Sequence, residues 1–431
     1  MPAHSAVLDR IDITFDHDQA APDAGLLLTA TLMSRLGLES ACDQMVSRGY
    51  RPGRKLATLV TSLVAGGDCI DDIAALRAGS TRLLLGHDVM APSTVGTWLR
   101  TFTFGHVRQL DKVSETMLTR AWATGAGPDP DATLYIDVDS TIVEVHGYDK
   151  QGATYGYTRC RGLHPLIATR ADTGEVLHTR QRKGSANTAR GAARFLTETI
   201  GRVRRAGYTG QIVVRADGGF WSRKNIAVCV RHEVGFSITV RRHKVIVAAI
   251  QNIPEGDWVD IAYTAGGDAQ VAETVWSGHR VVVRRTRITD DPSQPELFAN
   301  WRHHAFVTDH SGDAVDADRV HRAHAKVELA IRALKNGAGM CHMPSGDFAA
   351  NSAWLVATAL AHNLMIWVQT IAAPGPVTIR SAKTLRRRVL AIGGRLTRSG
   401  RQTRLHLPTG WPWADTLLEM LGRVRALPAI G

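Results

Sequence analysis

The stretch TLYIDVDST, residues 133–141, decides the fold class. At a strand's period of two, Tyr135, Asp137 and Asp139 share one face, and Leu134, Ile136 and Val138 share the other. The apolar face predicts an inner strand, with an exposed edge strand as the competing reading. Two carboxylates side by side on an inner strand repel each other and need a cation or water nearby.

Upstream, the loop GAGPDPDA (125–132) marks a boundary, and residues 24–120 read as helices. Pro92 and Ser93 make a helix start, and Gly66-Gly67 separates two helices in the manner of a helical turn. That front half reads as a DNA-reading helix-turn-helix or as a plain helical bundle. Downstream, HPLIATRADTGEVLHTRQRK predicts two strands joined at 172–174. NTARGAARFLTETIGRVRRAGY predicts a helix, QIVVRADGGF a strand ending at Asp217, SRKNIAVCVRHE a helix and FSITVRR a further strand. From 243 to 315 the segments HKVIVAAI, DWVDIAYT, AQVAETVW, HRVVVRRTRI and RHHAFVTD read as short strands between turns, and helices resume at Asp318. The expected organisation is therefore α/β: a mixed-sheet core over 131–242 and 316–371, a β-rich insertion domain over 243–315, a helical N-terminal domain over 1–130, and a basic C-terminal region over 372–431.

Across 431 residues, 52 Lys and Arg against 40 Asp and Glu leave a net charge of +12, which favours a polyanionic partner such as nucleic acid. The tail is more one-sided: from residue 376 it holds eleven Lys and Arg against two acids, including Arg386, Arg387 and Arg388. That imbalance points to phosphate contact. Five scattered cysteines, without a Cys-x-x-Cys pair, indicate neither a disulfide framework nor a zinc module. The N-terminus carries charges where a signal peptide needs an apolar core. The long apolar run from Ser352 is interrupted by His362, Asn363 and Gln369, and reads as a buried core helix and not a membrane span.

Three acidic positions stand out. Asp139 closes the opening strand, and Asp217 follows another apolar strand just before Gly218-Gly219, where open α/β sheets place ligands. Glu328 lies in RVHRAHAKVELAIRALK (319–335). On one continuous helix it would share a stripe with His321, His324, Arg332 and Lys335, opposite Val320, Ala323, Val327, Ile331 and Leu334. Taken singly, Asp217 reads as a turn-former and Glu328 as a surface charge; taken together, three carboxylates suit Mg²⁺, a hard ion that prefers oxygen ligands.

In this order and spacing the motifs DVDST, RADGGF and HRAHAKVELAIRALK resemble those of the DDE-type insertion-sequence transposases, over roughly 131–371. GLHPLIATRADTGEVL and FAANSAWLVATALAHNL add to the likeness. The resemblance implies a ribonuclease H-like core in which Asp139, Asp217 and Glu328 bind two Mg²⁺ ions, with Mn²⁺ as a substitute. It also implies cut-and-paste chemistry, in which water and then a DNA 3′-hydroxyl attack phosphodiesters. The partners implied are double-stranded DNA, as terminal inverted repeats and as target, and a second copy of the chain on that DNA. The location implied is cytoplasmic and nucleoid-associated, of bacterial type, with no membrane.

Asp137 does not match the triad position and is read as a supporting residue behind it. Many relatives carry a tyrosine seven residues before the glutamate, an arginine four before it and a lysine seven after it; here these positions hold His321, His324 and Lys335. Arg322 or Arg332 would compensate for the weaker phosphate binding of neutral histidines. Transition-metal binding by His321 and His324 is the rival role for that pair. Trp258, Trp276 and Trp301 are candidates for stacking on a flipped base, Trp276 foremost, or for the core of a small β-domain. Two other functions compete: a DNA-bound regulator without chemistry, and a metal-dependent endonuclease that cuts without joining.

Overall fold

The computed structural model describes residues 11–147, 149–156, 159–262, 268–288, 300–373 and 380–430. A nine-stranded mixed sheet is formed by β1 (Leu134–Ser140), β2 (Leu166–Arg170), β3 (Val176–Arg180), β4 (Ile212–Ala216), β5 (Gly235–Thr239), β6 (Val259–Asp260), β7 (Ala269–Trp276), β8 (His279–Arg287) and β9 (Trp301–Thr308). The order across the sheet is β6-β7-β8-β9-β5-β4-β1-β2-β3. β1 is an inner strand, antiparallel to β2 and parallel to β4, and its Ile136 and Val138 are fully buried. Parallel β1, β4 and β5 are linked through helices, as parallel connections require.

The labelled helices are α1 (Leu26–Arg35), α2 (Leu38–Met45), α3 (Pro52–Ala65), α4 (Pro92–Arg100), α5 (Phe104–Ala121), α6 (Ala192–Arg205), α7 (Arg223–Arg231), α8 (Lys244–Gln251), α9 (Ala314–Arg322), α10 (Lys326–Gly337), α11 (Phe348–Ala372) and α12 (Ala414–Ala426). α11 is long and apolar enough to cross a membrane, yet it is the hub of the helical layer and packs against α1, α3, α4, α5 and α12. Its polar residues are each used. His362 bonds to the Gly174 carbonyl (3.0 Å), Asn363 pairs with both backbone groups of Val176 (2.8 Å each), and Gln369 accepts the Arg380 N–H (2.8 Å). A satisfied amide inside a helix bundle carries little desolvation penalty.

Three local readings change. HKVIVAAI is helical (α8), because Ile246 and Ile250, four residues apart, are the pair that is buried while Val245 is exposed. The strands from the inserted segment do not close a sheet of their own. β9 pairs with β5 through Phe306↔Thr239, Val307↔Ile238 and Thr308↔Ser237, and so covers an edge the core sheet would otherwise expose. The helix expected across 319–335 is interrupted by a 3-10 turn, Ala323–Ala325, between α9 and α10. Across that turn His321 packs inward on Phe306, and it does not line the cleft with Glu328.

The basic tail forms a hairpin, Gly394–Ser399 with Gln402–His406, and Ala20–Ala21 adds a strand to its edge. α12 then packs on α1 and α11, so the two ends of the described chain meet in one helical layer.

Candidate catalytic site

β1 and β4 run parallel in the register Asp137↔Arg215 and Val138↔Ala216, so Asp139 and Asp217 leave the sheet side by side at neighbouring strand ends. Such strands stand about 4.8 Å apart. Asp217 is exposed and caps the turn Gly218–Phe220, its Oδ1 accepting the Gly219 N–H at 2.9 Å. Asp139 Oδ1 accepts the Ser140 N–H at 2.6 Å. Glu328 is exposed in the first turn of α10, which packs on β1 and β2. Asp139, Ser140, Thr141, Glu328, Arg332 and Lys335 line one cleft of ≈ 280 Å³.

The electrostatics tie the three acids together. Burial foremost, with the charges of Asp217 and Glu328, raises the Asp139 carboxyl to about 6 against the opposing pull of the Ser140 N–H and His324. A carboxyl held up by two like charges is a site that favours a cation. Lys335 donates to the Ile142 carbonyl (3.0 Å), which fixes its ammonium beside the acids, and Arg332 is exposed at the cleft.

Asp137 stands directly behind Asp139 and is fully buried. Arg215 grips it at both oxygens (Nε to Oδ1 2.7 Å, Nη2 to Oδ2 2.9 Å) and donates its remaining nitrogen to the Val320 carbonyl (2.7 Å). His324 Nδ1 lies 3.1 Å from Asp137 Oδ1. One buried carboxylate thus joins β1, β4 and the turn that leads into Glu328. No motif in the sequence singles out Arg215; its one signal is its place two residues before Asp217 and therefore on the same strand face. Nor does any single out His164, which links Ser140 Oγ (2.9 Å) to the Ala186 carbonyl (2.8 Å).

Several expected DNA contacts are turned inward. His321 is buried, stacks on Phe306 (centroids 4.0 Å apart) and bonds to Ser237 (2.8 Å) and Thr239 (3.0 Å). Burial, together with the neighbouring His304, His324, Arg215 and Arg322, pushes it well below its ordinary pKa, so it is neutral and inaccessible to phosphate. Both ring nitrogens are already bonded, which also removes the transition-metal role proposed for it with His324. Arg386 donates to the carbonyls of Leu63 (2.7 Å), Val64 (2.7 Å) and Gly337 (2.6 Å), capping the ends of α3 and α10. Arg387 is exposed, and Arg388 rests over Trp413. Arg322 is exposed in the last turn of α9. Trp258 and Trp301 both stack on Arg285 (4.2 and 4.4 Å), which also pairs with Glu255, so these rings serve the fold. Trp276, before the Ser277-Gly278 turn, is half-buried against Trp221 (5.0 Å) and His243 (5.1 Å).

Among the described residues, the one trio of potential metal-ligand atoms lying within 4.8 Å of one another is Asp68, Cys69 and Asp72. It has a local cause, since Asp72 accepts the N–H groups of Asp68 (2.9 Å) and Cys69 (3.1 Å) at the start of a 3-10 turn.

The family model Transposase DDE domain group 1 matches residues 5–429, nearly the whole chain. The chain belongs to this family of DDE transposases. No curated protein sequence matches it. Among solved structures it is similar to the piggyBac transposase, seen by cryo-EM in a synaptic complex with hairpin DNA; the identity is 12%, the TM-score 0.47, and the match covers 84% of this chain and 79% of that one.

Proposed function

We propose that this chain is an active cut-and-paste transposase that binds the terminal inverted repeats of its own element, cleaves there and joins the freed 3′ ends to target DNA. The observation that carries this reading is the placement of Asp139 and Asp217 at neighbouring parallel strand ends, with Glu328 in the same cleft as Asp139 and both other charges adding to burial in raising it. The donor set is all carboxylate oxygen, which fits two Mg²⁺ ions, with Mn²⁺ as a substitute. When bound, the ions would activate the attacking oxygen and stabilise the leaving one.

The chain's own residues have distinct tasks in this reading. Asp139, Asp217 and Glu328 hold the ions. Lys335 and Arg332 receive the phosphodiester at the cleft, and Arg322 and Arg387 extend the cationic path. Asp137, locked by Arg215 and His324, holds β1 and the approach to α10 in register. Trp276 contributes an aromatic face beyond Asp217. The sheet order β3-β2-β1-β4-β5, with β2 alone reversed against the other four, supports a ribonuclease H-like core over 131–242 and 316–371. Residues 1–130 and the basic tail 372–431 are assigned to DNA binding, residues 243–315 to the insertion, and the working form to a homodimer on DNA.

Joining separates this reading from its rivals. Protein, a DNA fragment bearing the element's own ends, a target plasmid and Mg²⁺ should yield plasmid carrying the joined fragment. Cut ends without joined product would indicate an endonuclease, and retained DNA without cutting would indicate a regulator.

A further inference from the structure

Next to the candidate catalytic carboxylates lies a second groove of ≈ 380 Å³, where residues 181–191 lead from β3 into α6. Arg180, Arg182, Lys183, Arg190 and Arg194 line it, and none of its lining residues is acidic. Leu166, Ala186, Phe195 and Phe348 supply an apolar wall.

The five cations differ in how they are compensated. Arg180 and Arg194 both pair with Glu198. Arg182 is only 9% exposed, and its partners are all neutral carbonyls: Nε donates to His164 (2.9 Å), and Nη1 to Asn187 (2.9 Å), Thr188 (3.1 Å) and Arg190 (3.1 Å). Its Nη2 is buried without a hydrogen-bond partner. Burial with no compensating carboxylate pulls its pKa down to about 10. Lys183 and Arg190 are exposed and make no ion pair among the described residues. An uncompensated buried charge is costly, and an incoming anion removes that cost.

The groove and the candidate catalytic centre share a loop. Thr188 Oγ1 lies 3.4 Å from Ser140 Oγ, next to Asp139. Thr188 also crowds Gly219, the residue whose N–H caps Asp217: a Cβ on Gly219 would meet Thr188 Cγ2 at 2.7 Å. His164 ties Ser140 to Ala186 in the groove wall. A duplex offers its phosphates outward but keeps its bases stacked inside. Cations beside an aromatic and aliphatic wall match an unpaired nucleotide, which offers both.

We propose that this groove binds an unpaired nucleotide of the DNA strand next to the cut, with its phosphate at Arg182, Lys183 and Arg190 and its base against Phe348. The assignment rests on the transposase reading above. It is tested with the full-length protein and two labelled probes, a blunt duplex and the same duplex with a short single-stranded overhang, titrated across a salt series. Wild type should prefer the overhang by about tenfold. Phe348→Ala should remove that preference. Lys183→Ala with Arg190→Ala, both at exposed positions, should flatten the log Kd against log salt slope by about 0.7 per lost phosphate contact on the overhang probe alone. Equal losses on both probes would overturn the proposal in favour of a duplex-backbone contact. Unchanged binding by variants, with wild type still binding and cutting DNA, would overturn it alone. A wild type that binds neither probe would overturn it together with the transposase reading.

Discussion

Replacing Asp139 by asparagine should stabilise the metal-free protein at neutral pH while abolishing cleavage. The carboxyl is raised from its ordinary 3.8 to about 6, by burial first and then by Asp217 and Glu328. That difference corresponds to about 3 kcal/mol at pH 7, reduced by solvent screening at an open cleft to a gain of about 1–3 kcal/mol. Asparagine keeps an oxygen for the Ser140 N–H, so the local turn survives. Because the folded value lies above the unfolded one, the wild-type penalty is absent below about pH 4 and grows as the pH rises through 6. Urea titrations at pH 4, 6 and 7.5 should show the variant's midpoint advantage widening with pH. Added Mg²⁺ should erase it by stabilising wild type alone, by about 2.7 kcal/mol at a hundredfold excess over its dissociation constant. A variant less stable than wild type at pH 7.5, or an advantage that does not change with pH, would refute the reasoning.

Three further outcomes follow from buried charges and rings. Arg215→Met should cost about 3–5 kcal/mol by stranding Asp137, and the double variant with Asp137→Asn should recover most of that in urea unfolding. Burial opposes ionisation of Asp111 and Glu198, but His178 with Arg202 in the first case, and His178 with Arg180 in the second, outweigh it and hold both carboxyls below their usual range. The stability they contribute should be complete above the ordinary carboxylate value and fall away as acid is added below about pH 4, read as a falling melting temperature. His321→Ala should destabilise by about 2–4 kcal/mol yet leave the salt dependence of DNA binding unchanged, whereas Lys335→Ala should flatten it with little loss of stability.

What could be read from the sequence was local. The period of two in residues 133–141 places Asp137 and Asp139 on one face, and the apolar run before Asp217 puts that residue at a strand end; both placements depend on neighbours in the chain. The side-by-side position of Asp139 and Asp217 depends on the parallel register of β1 with β4, which no local pattern encodes. Val and Ile at 245–247 suit a strand as well as a helix, so only burial decided α8. The 3-10 turn at Ala323–Ala325 breaks no apolar period, so the sequence pattern groups His321 with Glu328 although it packs on Phe306. Arg386 resembles its neighbours in the chain, and its inward path is set by two helix ends that converge from distant segments.

The central claim is that Asp139, Asp217 and Glu328 form one metal-dependent cutting centre. It is tested most directly by single-turnover nicking of a DNA bearing the element's own end, with Mg²⁺ and with EDTA, comparing wild type with Glu328→Ala. The account predicts 3′-end nicking by wild type in Mg²⁺ alone, and none by the variant although it binds the same DNA. Nicking by Glu328→Ala at the wild-type rate would contradict it.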